Sequence, residues 1–241
     1  MERRFISLLG VSFLLIFAVF GIGFSESLFH WIFPDLENPI YMRTSLPLLL
    51  LYHAVIVAVS SLISIFIGVS AGIFVMRPIG HDFLPIIRTI TAVGQTFPPI
   101  AVLGIVVLMI GYGSLPILIA LSIYGLLPIV ENTVAGLAAV PASVKDSARA
   151  MGYSSLERLI HIELPIASPV ILAGIRVSVI INIGTATIGS TVGAQTLGAP
   201  IIEGLAVSNT AYIIQGAIVV GLFAILVDMA LGRISHHLPR I

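Results

Sequence analysis

The sequence predicts an all-α, polytopic membrane protein, and three observations carry that expectation. Of 241 residues, 58% are hydrophobic and only 9% charged, where soluble domains are about a quarter charged. The mean hydropathy is +1.15. A hydrocarbon core about 30 Å thick needs about 20 apolar residues per helix. Cut on that basis, the uncharged runs make about six spans, at residues 5–24, 48–76, 89–110, 116–130, 166–190 and 210–231.

The first run is too long for an ordinary signal peptide and lacks a convincing small-residue cleavage site. It reads as a retained anchor, with residues 1–47 forming that helix and an outer loop. In the second run Ser60, Ser64, Gly68 and Gly72 recur every four residues, a small-residue stripe that lets another helix approach closely. Packing is its expected role. Lining a solute path is the rival, because small side chains also leave room.

Only Gly111-Tyr112-Gly113-Ser114-Leu115-Pro116, a tight-turn cluster, divides the third run from the fourth. Within the third, Gln95-Thr96-Phe97-Pro98-Pro99 carries paired prolines that break a helix. The carbonyls so freed are tolerated only beside protein or a cavity. Gln95, Phe97 and Pro98 are therefore candidates for a solute path, with a simple kink as the alternative.

The fifth run contains Asn182-Ile183-Gly184-Thr185-Ala186-Thr187-Ile188-Gly189-Ser190-Thr191, too polar to lie against lipid. It should face protein or water. Asn182, Thr185 and Thr187 are the side chains most able to meet a solute, and helix packing is the equal alternative. Arg176 is an ionisable group inside this span, which by default marks function or a partner. Lying about 16 Å beyond Pro165 along a helix, its stem could reach back to the interface, and that structural role is preferred to a gate. His53 and Asp228, near helix ends, read as interfacial residues rather than a proton relay.

Basic residues set the orientation, because Lys and Arg are retained on the cytosolic side. With the N-terminus inside, Arg3, Arg4, Arg77, Arg88, Lys145, Arg149, Arg158, Arg233 and Arg240 all fall in cytosolic segments and only Arg43 falls outside. The outer segments carry Glu26, Asp35, Glu37 and Glu203. Both termini are expected inside, in the cytoplasmic (inner) membrane. The domain expectation is one permease domain over 1–241, with core helices 48–231, a charged insert at 131–165 and a tail at 232–241.

That insert reads as two short helices joined by a glycine. Pro141 presets a first helical turn, Val144, Ala148 and Met151 recur at helical spacing, and Gly152 can take the left-handed conformation that closes a helix. The first helix is expected over 142–151. Ser154 and Glu157 have capping-box spacing, and Pro165 is expected to stop the second helix.

Several chemistries are excluded or disfavoured. The formal net charge is zero, which argues against a nucleic-acid partner, and with no cysteine there are no disulfides or thiolate metal sites. No His-Glu-x-x-His metal helix occurs, and Gly193-Ala194-Gln195-Thr196-Leu197-Gly198 is followed by Ala199-Pro200 where a phosphate-binding loop needs Lys and Ser or Thr. No metal ligand or catalytic residue is expected, and no cofactor of the chain's own.

The insert resembles the EAA loop of ABC importer permeases: Glu-Ala-Ala, three residues, Gly, nine residues, Ile-x-Leu-Pro. Asp146-Ser147-Ala148 stands for the first triplet, with Asp for Glu and Ser for Ala, and Gly152, Ile162, Leu164 and Pro165 keep their places. The resemblance implies that Asp146, Ser147, Ala148, Met151, Gly152, Ile162, Leu164 and Pro165 couple the chain to a cytosolic ATPase.

A wider resemblance is to permeases of osmoprotectant importers, the glycine betaine, choline and carnitine group, and in particular to the Yeh-type betaine system. It rests on residues 92–99, 169–176, 181–193, 197–202 and 209–217. It implies a MetI-like type I importer: two permeases, either this chain twice or with a paralogue, a cytosolic ATPase dimer holding ATP and Mg, and an extracytoplasmic binding protein. No tight aromatic cluster is evident in the spans, so recognition of a quaternary amine is expected mainly in the binding protein. An importer of the same architecture for another solute, such as an amino acid, is the nearer alternative. A channel or ion-coupled carrier is disfavoured, because Arg176 is the clear mid-span charge and paired carboxylates are missing.

Overall fold

A computed structural model of the chain describes residues 2–236, and side chains other than those of residues 2–5, 95, 235 and 236. The expectations placed on Arg3, Arg4 and Arg240, and on the side chain of Gln95, lie outside the described residues. Regular structure among the described residues is helical throughout. In chain order the helices are α1 (Glu2–Gly21), α2 (Glu26–Ile32), α3 (Leu46–Val75), α4 (Leu84–Thr96), α5 (Pro99–Ile110) and α6 (Ser114–Ala138). They continue with α7 (Ala142–Ala150), α8 (Ser155–Arg158), α9 (Leu164–Ala186), α10 (Ala199–Ala206) and α11 (Thr210–His236).

Five helices are long and apolar enough to cross a membrane, or six if α4 and α5 count as one broken span. The third expected span is thus two helices. Phe97 leaves the helix for extended backbone at φ −75, ψ 132, as the residue before a proline is pushed to do. The carbonyl freed at the break is taken by the Tyr124 hydroxyl.

Two compact units make up the chain. The first comprises Met1–Ser60, Pro99–Leu121 and Ile180–Ala230, and the second Ser61–Pro98, Ser122–Val179 and Leu231–Ile241. In the first, Leu15, Val19, Phe29, Leu49, Leu197 and Val219 belong to one buried cluster. Gln215 pins the 39–41 segment over it: its Oε1 accepts the Tyr41 N–H at 3.1 Å and its Nε2 donates to the Pro39 carbonyl at 2.6 Å. His53, near the start of α3, is fully buried in this unit. Its Nδ1 accepts the Leu197 N–H at 3.3 Å, and its ring meets Phe223 edge-on.

In the second unit α6 is packed from both sides. A Cβ at Gly68 or Gly72 would meet Ile129 or Thr133 at 2.9 and 2.6 Å, so α3 lies close on α6. A Cβ at Gly174 would meet Asn132 at 2.5 Å, so α9 approaches equally closely. Pro128 inside α6 cannot complete the backbone ladder. Hydroxyls of both neighbouring helices also reach α6 carbonyls: Ser64 of α3 donates to that of Ser122 at 2.7 Å and Ser178 of α9 to that of Gly125 at 2.9 Å. The small-residue stripe of α3 therefore packs on α6 from Ser64 to Gly72. The Arg176 guanidinium lies against Gly232, near the end of α11.

Candidate functional site

The charged insert folds within the second unit as an elbow between α6 and α9. Pro141, at φ −58, ψ 140, precedes α7 and leads into its first turn. Two reverse bonds close the helix: the Tyr153 N–H donates to the Ala148 carbonyl at 3.1 Å, and the Gly152 N–H to that of Arg149 at 3.0 Å. Gly152 sits at φ +86, the left-handed cap that glycine adopts without strain. The capping box then starts α8 at once. Ser154 Oγ accepts the Glu157 N–H at 3.3 Å, while the Glu157 carboxylate accepts the Ser154 N–H at 2.8 Å.

Pro165 does not stop the second helix, contrary to expectation. The chain passes from α8 through a widened π turn at Leu159–Glu163 straight into α9. A wider turn makes room for the proline ring and for the backbone bond that Pro165 cannot donate. The elbow's second arm is therefore continuous with a membrane-crossing helix.

Ala148 is 1% exposed and faces inward, so it seats α7 rather than presenting itself to a partner. Lys145 holds the seat from the other side, its Nζ donating to the Leu137 carbonyl at the end of α6 at 3.2 Å. Asp146 and Ser147 face out. Asp146 pairs with Arg149 at 3.0 Å across an exposed helix face, an interaction of little energetic weight. Met151 is 68% exposed, and Tyr153, Leu156 and Ile160 continue an exposed apolar surface that residue spacing alone did not flag. Ile162, Leu164 and Pro165 are half-buried, with Leu164 packed on the Leu137, Ala167 and Ile171 cluster.

Glu163 is the residue of this region that sequence reading passed over. Its side chain is 5% exposed and is held by two guanidiniums. Arg77, just beyond α3, donates from Nη2 to Oε2 at 2.6 Å, and Arg158 of α8 donates from Nε to Oε1 at 2.8 Å. The helical run Ser155–Val192 is 38 residues long, nearly twice what a bilayer core needs. Glu157, Arg158 and Glu163 lie at its start, ahead of the span expected at 166–190, and Arg176 lies within that span. Burial pushes the Glu163 carboxyl up, but the hydrogen bonds and charges of Arg77 and Arg158 outweigh it and hold the group below the usual carboxylate range.

The solute-path candidates fall in both units. Phe97 and Pro98, exposed, belong to the second. Asn182, Thr185 and Thr187 belong to the first. Asn182 is fully buried, while Thr185 and Thr187 are half-buried, with the Thr187 hydroxyl donating to the Gly184 carbonyl at 2.7 Å. Among the described residues no group of His, Cys, Asp and Glu could hold a metal ion.

Residues 64–240 match the family described as the binding-protein-dependent transport system inner membrane component. The osmoprotectant import permease protein OsmY of Salmonella typhimurium is 39% identical over 189 residues, which cover 77% of this chain and 80% of that protein. The carnitine transport permease protein OpuCB of Listeria monocytogenes is 36% identical, covering 77% of this chain and 84% of its own. The choline transport system permease protein OpuBB of Bacillus subtilis is 34% identical, covering 77% and 85%. Among solved structures, an inward-facing conformation of the MetNI methionine ABC transporter superposes with a TM-score of 0.72 at 20% identity, over 83% of this chain and 100% of that one. At that identity the likeness concerns the fold.

Proposed function

We propose, from the premise that this chain belongs to the family of inner membrane components of binding-protein-dependent transport systems, that it passes osmoprotectants such as glycine betaine, choline or carnitine across the membrane. It is a permease subunit of an ABC importer and not an enzyme, and ATP hydrolysis comes from a separate subunit. The observation that carries the substrate class is the agreement of relatives aligned over most of their length and named for osmoprotectant, carnitine and choline transport.

The elbow is where the ATPase engages. Met151, Tyr153 and Leu156 offer an exposed apolar surface beside Asp146 and Ser147, while Ala148 and Lys145 seat the elbow on its own unit. Closure of two ATPases on ATP pushes the two elbows of a permease pair together. Because α8 runs through the π turn into α9 without a break, that displacement is delivered to a membrane-crossing helix rather than absorbed in a loop. An extracytoplasmic binding protein supplies the solute, so the permease needs only a transient passage. Arg77, Arg88, Lys145, Arg149, Arg158 and Arg233 support placing the elbow and both termini on the cytosolic side.

Labelled glycine betaine, choline, carnitine and methionine, offered in turn to vesicles containing the complete complex, test this reading. ATP-dependent uptake of at least one of the first three, dependent on the binding protein, is the expected result. Methionine uptake without any of them overturns the substrate class, and uptake indifferent to ATP overturns the coupling.

A further inference from the structure

Glu163 sits at a mechanical junction. Its Oε2 takes a 2.6 Å bond from Arg77 and its Oε1 a 2.8 Å bond from Arg158, with a longer contact of 3.5 Å from Arg77 Nη1 to Oε1. Arg77 is not on a loose loop. The Met76, Arg77 and Gly80 N–H groups close successive turns on the Ile73, Phe74 and Arg77 carbonyls, and Gly80 packs against the Phe74 carbonyl. On the other side, Arg158 ends α8, directly after the capped elbow. One carboxylate thus joins the end of α3 to the elbow's second arm. The π turn matters here because it ends at Glu163, and a widened turn rotates the side chains that follow relative to an unbroken helix.

We propose that Glu163 is a positioning residue for transport coupling: through Arg77 and Arg158 it fastens the end of α3 to the elbow, so that one ATPase stroke moves α3 and α9 together. This rests on the reading of the elbow as the ATPase contact. Without the tie, apolar packing of Val69, Ile73 and Met76 on the Leu137, Ala167 and Ile171 cluster is what still joins α3 to α9, a contact that can slide where a pair of directed ion pairs cannot. A buried carboxylate stripped of its partners is a severe perturbation. The test therefore includes variants that separate coupling from folding.

In vesicles holding the complete complex, ATP hydrolysis and osmoprotectant uptake are measured side by side. Glu163→Gln is expected to retain the co-purifying ATPase and its hydrolysis while solute moved per ATP falls roughly tenfold, within the range of ordinary allosteric coupling. Glu163→Asp is expected to recover part of that ratio. The chain has no cysteine, so Arg77→Cys with Glu163→Cys can be bridged by a reducible bifunctional thiol reagent. Bridging should restore the ratio and reduction should abolish it. Unchanged solute per ATP in Glu163→Gln overturns the proposal, as does parallel loss of hydrolysis and uptake that bridging does not repair. A parent complex without ATP-driven uptake removes the functional reading itself, a different result from a coupled parent with coupled variants.

Discussion

Gly152 and Glu163 show how differently two residues of one elbow are encoded. The glycine is set by its neighbours. Its φ of +86, the two reverse bonds before it and the capping box after it involve residues a few positions apart, so spacing alone exposes them. Gly152→Val would place a β-branched residue in the left-handed region, at a cost of about 1–2 kcal/mol. The expected outcome is faster hydrogen exchange in 148–157 with exchange in α11 unchanged, read by mass spectrometry on the solubilised protein. Glu163 was invisible because Arg77 lies 86 positions away. Ala148 and His53 carry the same lesson. The first belongs to the motif yet faces inward, and the second is covered by a segment 144 positions later in the chain.

At the scale of elements, α6 explains the small residues of its neighbours. The stripe on α3 suited either packing or a solute path. The structure shows Ser64 reaching an α6 carbonyl while Gly68 and Gly72 let the helices close. Gly72→Val would drive its side chain into Thr133, whose Cβ is 2.6 Å from the position of the added carbon. Overpacking of that kind costs about 1–3 kcal/mol. A lower Tm in detergent is the expected reading, with Gly104→Ala, where nothing lies within 4 Å of an added Cβ, unchanged as the control. The broken span, which the paired prolines announce, and the continuous α8 to α9 run, which Pro165 does not, differ for one physical reason. A proline removes a donor wherever it occurs, but whether the helix ends or is repaired depends on what supplies the missing bonds. At Phe97 the chain takes extended backbone and Tyr124 caps the carbonyl, whereas at Pro165 a π turn carries the helix onward.

For the whole molecule the orientation is the property most open to direct measurement. In this cysteine-free chain, Met42→Cys and Ser155→Cys place single thiols at exposed positions. A membrane-impermeant maleimide should label Met42→Cys in intact cells and Ser155→Cys only after the membrane is opened, and the reverse pattern overturns the N-in, C-in assignment. Composition and hydropathy by themselves determined that the chain is helical and crosses a membrane several times, because an oily segment can satisfy its backbone in lipid only as a helix. Local hydrogen-bond spacing determined the elbow in the same way. Only the tertiary structure decided which face of α3 meets α6, that Ala148 seats the elbow, that α8 continues into α9, and that Arg77 and Arg158 converge on Glu163. Those are matters of which distant residues become neighbours, and a pattern confined to one helix carries no record of the surface that will press against it.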